Sequence, residues 1–256
     1  IHDHQFLGGN TGVTWFKNLP TATAAQAEFL QDAVRVDLFG VRDRDAQEGK
    51  LHAPLRPMVP ALTPGREYLF ETVVRTLNIG HRFTEGTSDS NQVWLEVAVS
   101  SGDRIIAHSG NLNSNREVDP AAHFFNVFMV DREGNRIIHR NTQDMFVAMY
   151  DHQIPPDAAQ VVRYGLHLPR DVTDSVTFEV KLNYRTFDVP YTDFIANVDD
   201  DEIKPIPDHQ PGQPYVNRLP IVTLASDTVT FPLGESDQEV EMPETLADPW
   251  ERWNDY

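Results

Sequence analysis

Apolar and polar residues alternate with a period of two over most of the chain. The pattern is clearest at Ser175–Phe187, where Val176, Phe178, Val180, Leu182 and Tyr184 share one side and Thr177, Glu179, Lys181, Asn183 and Arg185 the other. Such alternation predicts a strand with one face on a core. Similar strands are predicted at 34–39, 68–78, 92–99 and 161–168. The turn signals SSGD (100–103) and DREGN (131–135) predict hairpins, joining 92–99 to 104–108 and 124–130 to 136–139. Ile221–Leu224 and Thr228–Phe231 read as a late pair joined through Ala225-Ser226-Asp227. Only TATAAQAEFLQD at 21–32 reads as a helix, with Thr21 or Thr23 as N-cap. About seven to nine short strands with regular turn signals predict a mainly β fold: an antiparallel β-sandwich, immunoglobulin-like or jelly-roll-like.

Between these elements the chain reads as loop. Residues 42–66 carry charges and then Pro54, Pro57, Pro60 and Pro64, and 110–121 and 197–220 are rich in Pro and Asn. Long loops on a β scaffold usually contact something else. The expected division is an extended, partner-contacting segment at 1–20, the sandwich at 21–232 and an acidic linker at 233–256. Trp15 and Phe16 are the expected anchors of the first segment. IHDHQFLGGN at one end and DPWERWNDY at the other both read as cuts through a longer polypeptide.

Composition narrows the function. The 256 residues include 39 acidic against 21 Lys plus Arg, a formal charge of −18. Such a surface repels phosphate backbones and argues against nucleic-acid binding. No apolar run approaches the roughly 20 residues of a membrane-spanning helix. With no cysteine, the chain holds no disulfide, thiolate zinc site, Cys nucleophile or CxxCH haem attachment. Catalytic signatures (GxSxG, HExxH, a Walker loop) are missing too, and no catalytic residue is assigned. His108 and Ser109 are neighbours on a strand, so they point to opposite faces and do not form a base–nucleophile pair.

Two groups of residues carry candidate chemistry. Asp199, Asp201 and Glu202 concentrate carboxylates in a loop, the hard oxygen ligands calcium prefers, though a solvated acidic loop has the same composition. Histidines number ten. In His2-Asp3-His4 both imidazoles fall on one side of an extended segment, so they reach one metal or adjacent cofactors; a surface pair of no consequence reads the same. His81, in NIGHRF, sits at a turn where a structural hydrogen-bonding role competes with ligation.

Taken together, these places resemble one family. HDHQFLGGN (2–10) resembles the H-x-H-x-F-x-G-x-N stretch that follows the haem-binding part of certain bacterial multihaem c-type cytochromes. NIGHRFTEGTSDSNQVWLEV (78–97) is similar to a segment of their β-rich domain, with Thr84 standing where the family commonly has Pro. RNTQDMFVAMYDHQIPPDAAQVVRY (140–164) resembles its H-x-I-P-P stretch, and WERWNDY (250–256) the opening of the tetratricopeptide repeats that often follow.

The resemblance implies a β domain lying between a haem domain and tetratricopeptide repeats, in a periplasmic or extracellular protein. It implies haem c held by an upstream segment or partner chain, with His2, His4 and His81 as candidate axial ligands and no catalysis by this chain itself. Two other readings stand beside it. One is an adhesive or carbohydrate-binding sandwich that stacks sugars on Trp94, Tyr150 or Tyr191. The other is a structural subunit of a haem-dependent oxidoreductase, whose catalytic groups lie in the haem region.

Overall fold

Strand β1 (Val34–Asp43) shows how the sequence pattern becomes a sheet face. Val34, Val36 and Leu38 point inward, and then the inward set moves to Val41 and Asp43. The cause is a β-bulge at Phe39, where pairing passes from Leu38–Thr72 to Gly40–Glu71. One extra residue inverts the two-residue phase. A computed structural model describes residues 7–45, 49–86, 89–198, 206, 209–210, 212–234 and 239–241.

β1 is flanked by β2 (Leu51–His52) and β4 (Glu67–Thr76), and β4 by β9 (Ala159–His167), giving a four-stranded antiparallel sheet. The second sheet has the order β11 (Val222–Phe231), β10 (Val176–Arg185), β5 (Gln92–Ser101), β6 (Arg104–Ser109), also antiparallel throughout. Their inner faces form one core. Phe70 of the first sheet meets Phe178 and Phe231 of the second, with ring centroids 4.7 and 5.5 Å apart. Val176, Phe178, Val180, Leu182 and Tyr184 are all buried, as their alternation predicts. The protein is mainly β, two antiparallel sheets packed as a sandwich.

Smaller pairings complete the strands: β7 (Val127–Val130) with β8 (Val147–Asp151), and β3 (Met58–Pro60) with β12 (Glu239–Glu241). β2 and β3 therefore lie inside the segment read as loop. The late strand pair is instead one continuous strand, β11, because residues 225–227 pair with β10 as well. Arg136–His139 forms no strand and makes only a bridge from Arg136 to Val130. Most of 233–256 falls outside the described residues.

Helix α2 (Pro20–Phe29) starts one residue before the span predicted at 21–32 and ends three residues short of it. Two other helices run against expectation. α1 (Thr11–Phe16) occupies the segment expected to be extended, started by the Asn10 side chain accepting from the Val13 N–H. α3 (Val189–Asn197) follows β10, with Asp188 as N-cap and Pro190 in its first turn, where Pro fits because its N–H would be unpaired.

Candidate functional site

The start of the chain is fastened to the end of β10. Tyr184 donates its hydroxyl to the Gly9 carbonyl at 2.7 Å, the Thr11 and Thr186 hydroxyls meet at 2.8 Å, and the Gly12 N–H donates to Thr186 at 2.9 Å. Gly12 is needed for this approach, since a Cβ there would stand 3.1 Å from the Thr186 Cβ. Thr11 is fully buried, so residues 9–12 belong to the sandwich and do not form a detached arm. α1 and α2 are tied by Thr14, which donates to Gln26 and accepts from Thr23, both at 2.9 Å. Beside them lies an open groove of about 930 Å³, lined by Trp15, Leu19, Ala27, His209 and Tyr215.

The structure separates the sequence candidates. His2, His4, Asp199, Asp201 and Glu202 lie outside the described residues. Asn197, just before the acidic run, is engaged locally: its carbonyl oxygen accepts from Gly212 N–H and pairs with His209 Nε2. His81 is exposed. Its Nδ1 lies 2.9 Å from the Arg82 carbonyl, which makes it the protonated nitrogen, and 3.6 Å from Glu85. The sugar-platform reading fails at Trp94, which is fully buried and donates its indole N–H to the Gly110 carbonyl at 2.8 Å. Tyr150 is stacked between Phe128 and His152, with its hydroxyl donated to the Phe124 carbonyl.

Charge is buried at the same end of the sandwich. Arg185 is wholly buried and paired across strands with Gln92, whose carboxamide oxygen accepts two of its N–H groups, while a third donates to the Arg116 carbonyl at 2.9 Å. Burial, and secondarily the Arg116 charge, draw the Arg185 guanidinium down to about 10, so it is still a cation at neutral pH. Asp188, with Asn126, Phe128, Arg136 and Tyr150, lines a cavity of about 440 Å³. Burial pushes the Asp188 carboxyl up to about 6, against the opposing effects of the Tyr191 N–H it accepts from and of Arg136 at 3.6 Å.

That shift has a sign that can be measured. The folded chain holds a proton on Asp188 between about pH 4 and 6 that the unfolded chain has lost, so stability declines as pH rises through this window. Asp188→Asn keeps the cap and the volume but carries no charge. Its advantage over the parent should be greater at pH 8 than at pH 4 by roughly 2–3 kcal/mol. Urea unfolding at the two pH values measures this, and equal differences at both would refute it.

A histidine pair that is not adjacent in sequence lies at the β7–β8 edge. His152 Nδ1 and His123 Nε2 are 3.3 Å apart, and the Gln160 carboxamide nitrogen is 3.4 Å from each. Phe128, Tyr150, His152 and His123 stack in succession, at centroid separations of 4.9, 4.0 and 4.9 Å, and Arg136 caps the series 3.9 Å over Phe128. Burial, and then the facing His152, lower His123 to about 4, so its ring is neutral at physiological pH. Only the separation in sequence, 29 residues, hid the pair. Among the described residues, no three His, Cys, Asp or Glu side chains converge as a metal site, and no helix is long and apolar enough to cross a membrane.

No protein-family model matches the chain, and no curated protein does. Among solved structures it is similar to a penta-heme cytochrome c552 from Thermochromatium tepidum, at 10% identity and a TM-score of 0.47, over 79% of this chain and 41% of that one. It also matches an alkylpurine DNA glycosylase, AlkC, from Pseudomonas fluorescens bound to DNA containing an abasic site analog. That match has 9% identity and a TM-score of 0.22, over 66% of this chain and 32% of that one. The chain thus spans less than half the length of either protein.

Proposed function

We propose that this chain is a non-catalytic β-sandwich module that packs on a multihaem c-type cytochrome domain and serves periplasmic or extracellular electron transfer. The observation that carries the reading is the fastening of Gly9, Thr11 and Gly12 to Tyr184 and Thr186. It anchors Gly9, five residues after His4 in sequence, at the end of β10. An extended chain spans at most about 3.6 Å per residue, so His4 stays within roughly 18 Å of Gly9.

Haem supplies the redox chemistry in this reading. With no cysteine, this chain contributes only axial ligation and shielding, to haems held by an upstream segment or partner chain. His81 also fits ligation: with Nδ1 protonated toward the Arg82 carbonyl, the lone pair resides on Nε2. The tetratricopeptide repeats belong to the proposal as the neighbour beyond residue 256.

In the intact parent protein, His2→Ala and His4→Ala separate the two candidates. Loss of the ligand leaves the haem covalently attached but turns one six-coordinate low-spin haem into a high-spin or water-bound form in the visible spectrum. Unchanged spectra and potentials for both variants would refute ligation by either residue.

A further inference from the structure

We propose that His123, His152 and Gln160 form a binding site for one divalent transition-metal ion of the zinc class. The argument rests on the triangle their terminal atoms make, with edges of 3.3, 3.4 and 3.4 Å. A tetrahedral ion with bonds of about 2.0–2.1 Å holds its ligands about 3.3–3.4 Å apart, because the edge of a tetrahedron is ~1.63 times the centre-to-vertex distance. The three side chains already outline one face of such a tetrahedron at its natural size. As hydrogen bonds the same edges are all long, since an N–H donor ordinarily lies about 2.7–3.2 Å from its acceptor.

The donor set suits the ion as well. Two imidazoles are borderline-soft ligands. A half-turn of the Gln160 amide brings its oxygen to the third vertex, the two ends of a carboxamide being distinguished only by their hydrogen-bond partners. The fourth position falls to water or an external ligand, as in metal centres that keep an open site. Three separate backbone attachments keep the ligands in place without metal. The His123 carbonyl accepts from the Leu95 N–H at 3.0 Å, which ties it to β5. The His152 N–H donates to the Asn126 carbonyl at 3.2 Å, and its ring is held against Tyr150. Gln160 stands on β9, paired opposite Val74 of β4. A cradle drawn from rigid elements spends little ordering on binding. The net charge of −18 raises the local concentration of any cation.

The test uses Co²⁺, whose tetrahedral complexes absorb strongly in the visible, added to the full chain carrying His2→Ala and His4→Ala so that the terminal pair cannot compete. One equivalent should bind saturably, be displaced by Zn²⁺, and raise the melting temperature with increasing metal. His152→Ala or His123→Ala should each weaken binding by about 100-fold or more, since even outer-shell partners of a metal cost 10–100-fold. Gln160→Glu should tighten binding, because a carboxylate replaces a neutral carboxamide. A hydrogen-bonded triad without metal affinity gives no such gain. Should His123→Ala fail to fold, as judged by its far-ultraviolet circular dichroism, the His152 and Gln160 variants decide alone. Absence of saturable binding, or binding unchanged by the His152 substitution and by Gln160→Glu, overturns the proposal. Neither result bears on ligation by His2 or His4, which are absent from the tested chain.

Discussion

Phe178→Ala should lower the stability of the sandwich by about 3–5 kcal/mol, the range for removing a buried aromatic ring and leaving a cavity behind. Its side chain is 1% exposed. It contacts Phe70 at 4.7 Å and lies 6.3 Å from Tyr164, so the void would open where the two sheets meet. Neighbouring elements are poorly placed to fill it. Phe70 is already held between Phe178 and Phe231, and the strands on either side are fixed by unbroken antiparallel pairing there. Thr177→Ala, one residue earlier and on the opposite face, is the control. That substitution loses a hydroxyl contact with Thr230 at 3.0 Å and should cost about 1 kcal/mol. Urea denaturation of the two variants checks the contrast, and comparable losses would contradict a core on the Phe178 face.

The same strand shows what was legible in the sequence and what was not. Alternation assigned Val176 to Tyr184 to the core correctly, because a two-residue period is a local property of the backbone. It equally placed Asn183 and Arg185 on the outward face, which is also correct, yet both are buried. The outer side of the second sheet is covered at this end by the loop at 110–122, which packs Val118 and Ala122 on Trp94. Covering by a distant loop leaves no periodic trace. β1 fails differently: the bulge at Phe39 changes the phase within one strand, and its cause lies in pairing with β4.

Helix α3 carries its start signal in its own sequence. Asp188-Val189-Pro190 is an N-cap followed by a proline in the first turn, a local start signal for a helix. α1 had weaker local grounds, since Thr11-Gly12-Val13-Thr14 contains poor helix formers. There the contacts with Thr186 and Tyr184, some 175 residues away, decide the conformation. Candidate chemistry followed the same division. His2-Asp3-His4 is a pair in sequence; His123 and His152 are a pair only in the fold.

Gln92→Leu should be the more revealing of the large destabilising substitutions. It removes a neutral side chain and strands a cation. Gln92 accepts from Nε and Nη2 of Arg185, and no carboxylate forms a hydrogen bond with that guanidinium among the described contacts. The Trp94 ring, 5.9 Å away, the Arg116 carbonyl and the more distant charge of Asp188 remain, none of them replacing the two lost hydrogen bonds. Breaking a buried charged interaction from one side costs about 3–5 kcal/mol, because the survivor cannot recover its hydration. Arg185→Met in the same chain removes the stranded charge, and the two apolar side chains then face each other across the β5–β10 register. The double variant should therefore be more stable than Gln92→Leu alone, a coupling that a double-mutant cycle reads directly. It should still differ from the parent in one respect. Arg185 holds the Arg116 carbonyl, while the Arg116 side chain donates to the carbonyls of Asn217 and Leu219 at 2.8 and 3.4 Å. Without Arg185 the 110–121 loop loses its tie to β10, so its amides should exchange hydrogen faster than those of the two sheets. Additive losses in the cycle would mean that Arg185 remains hydrated in solution and that Gln92 does not support it.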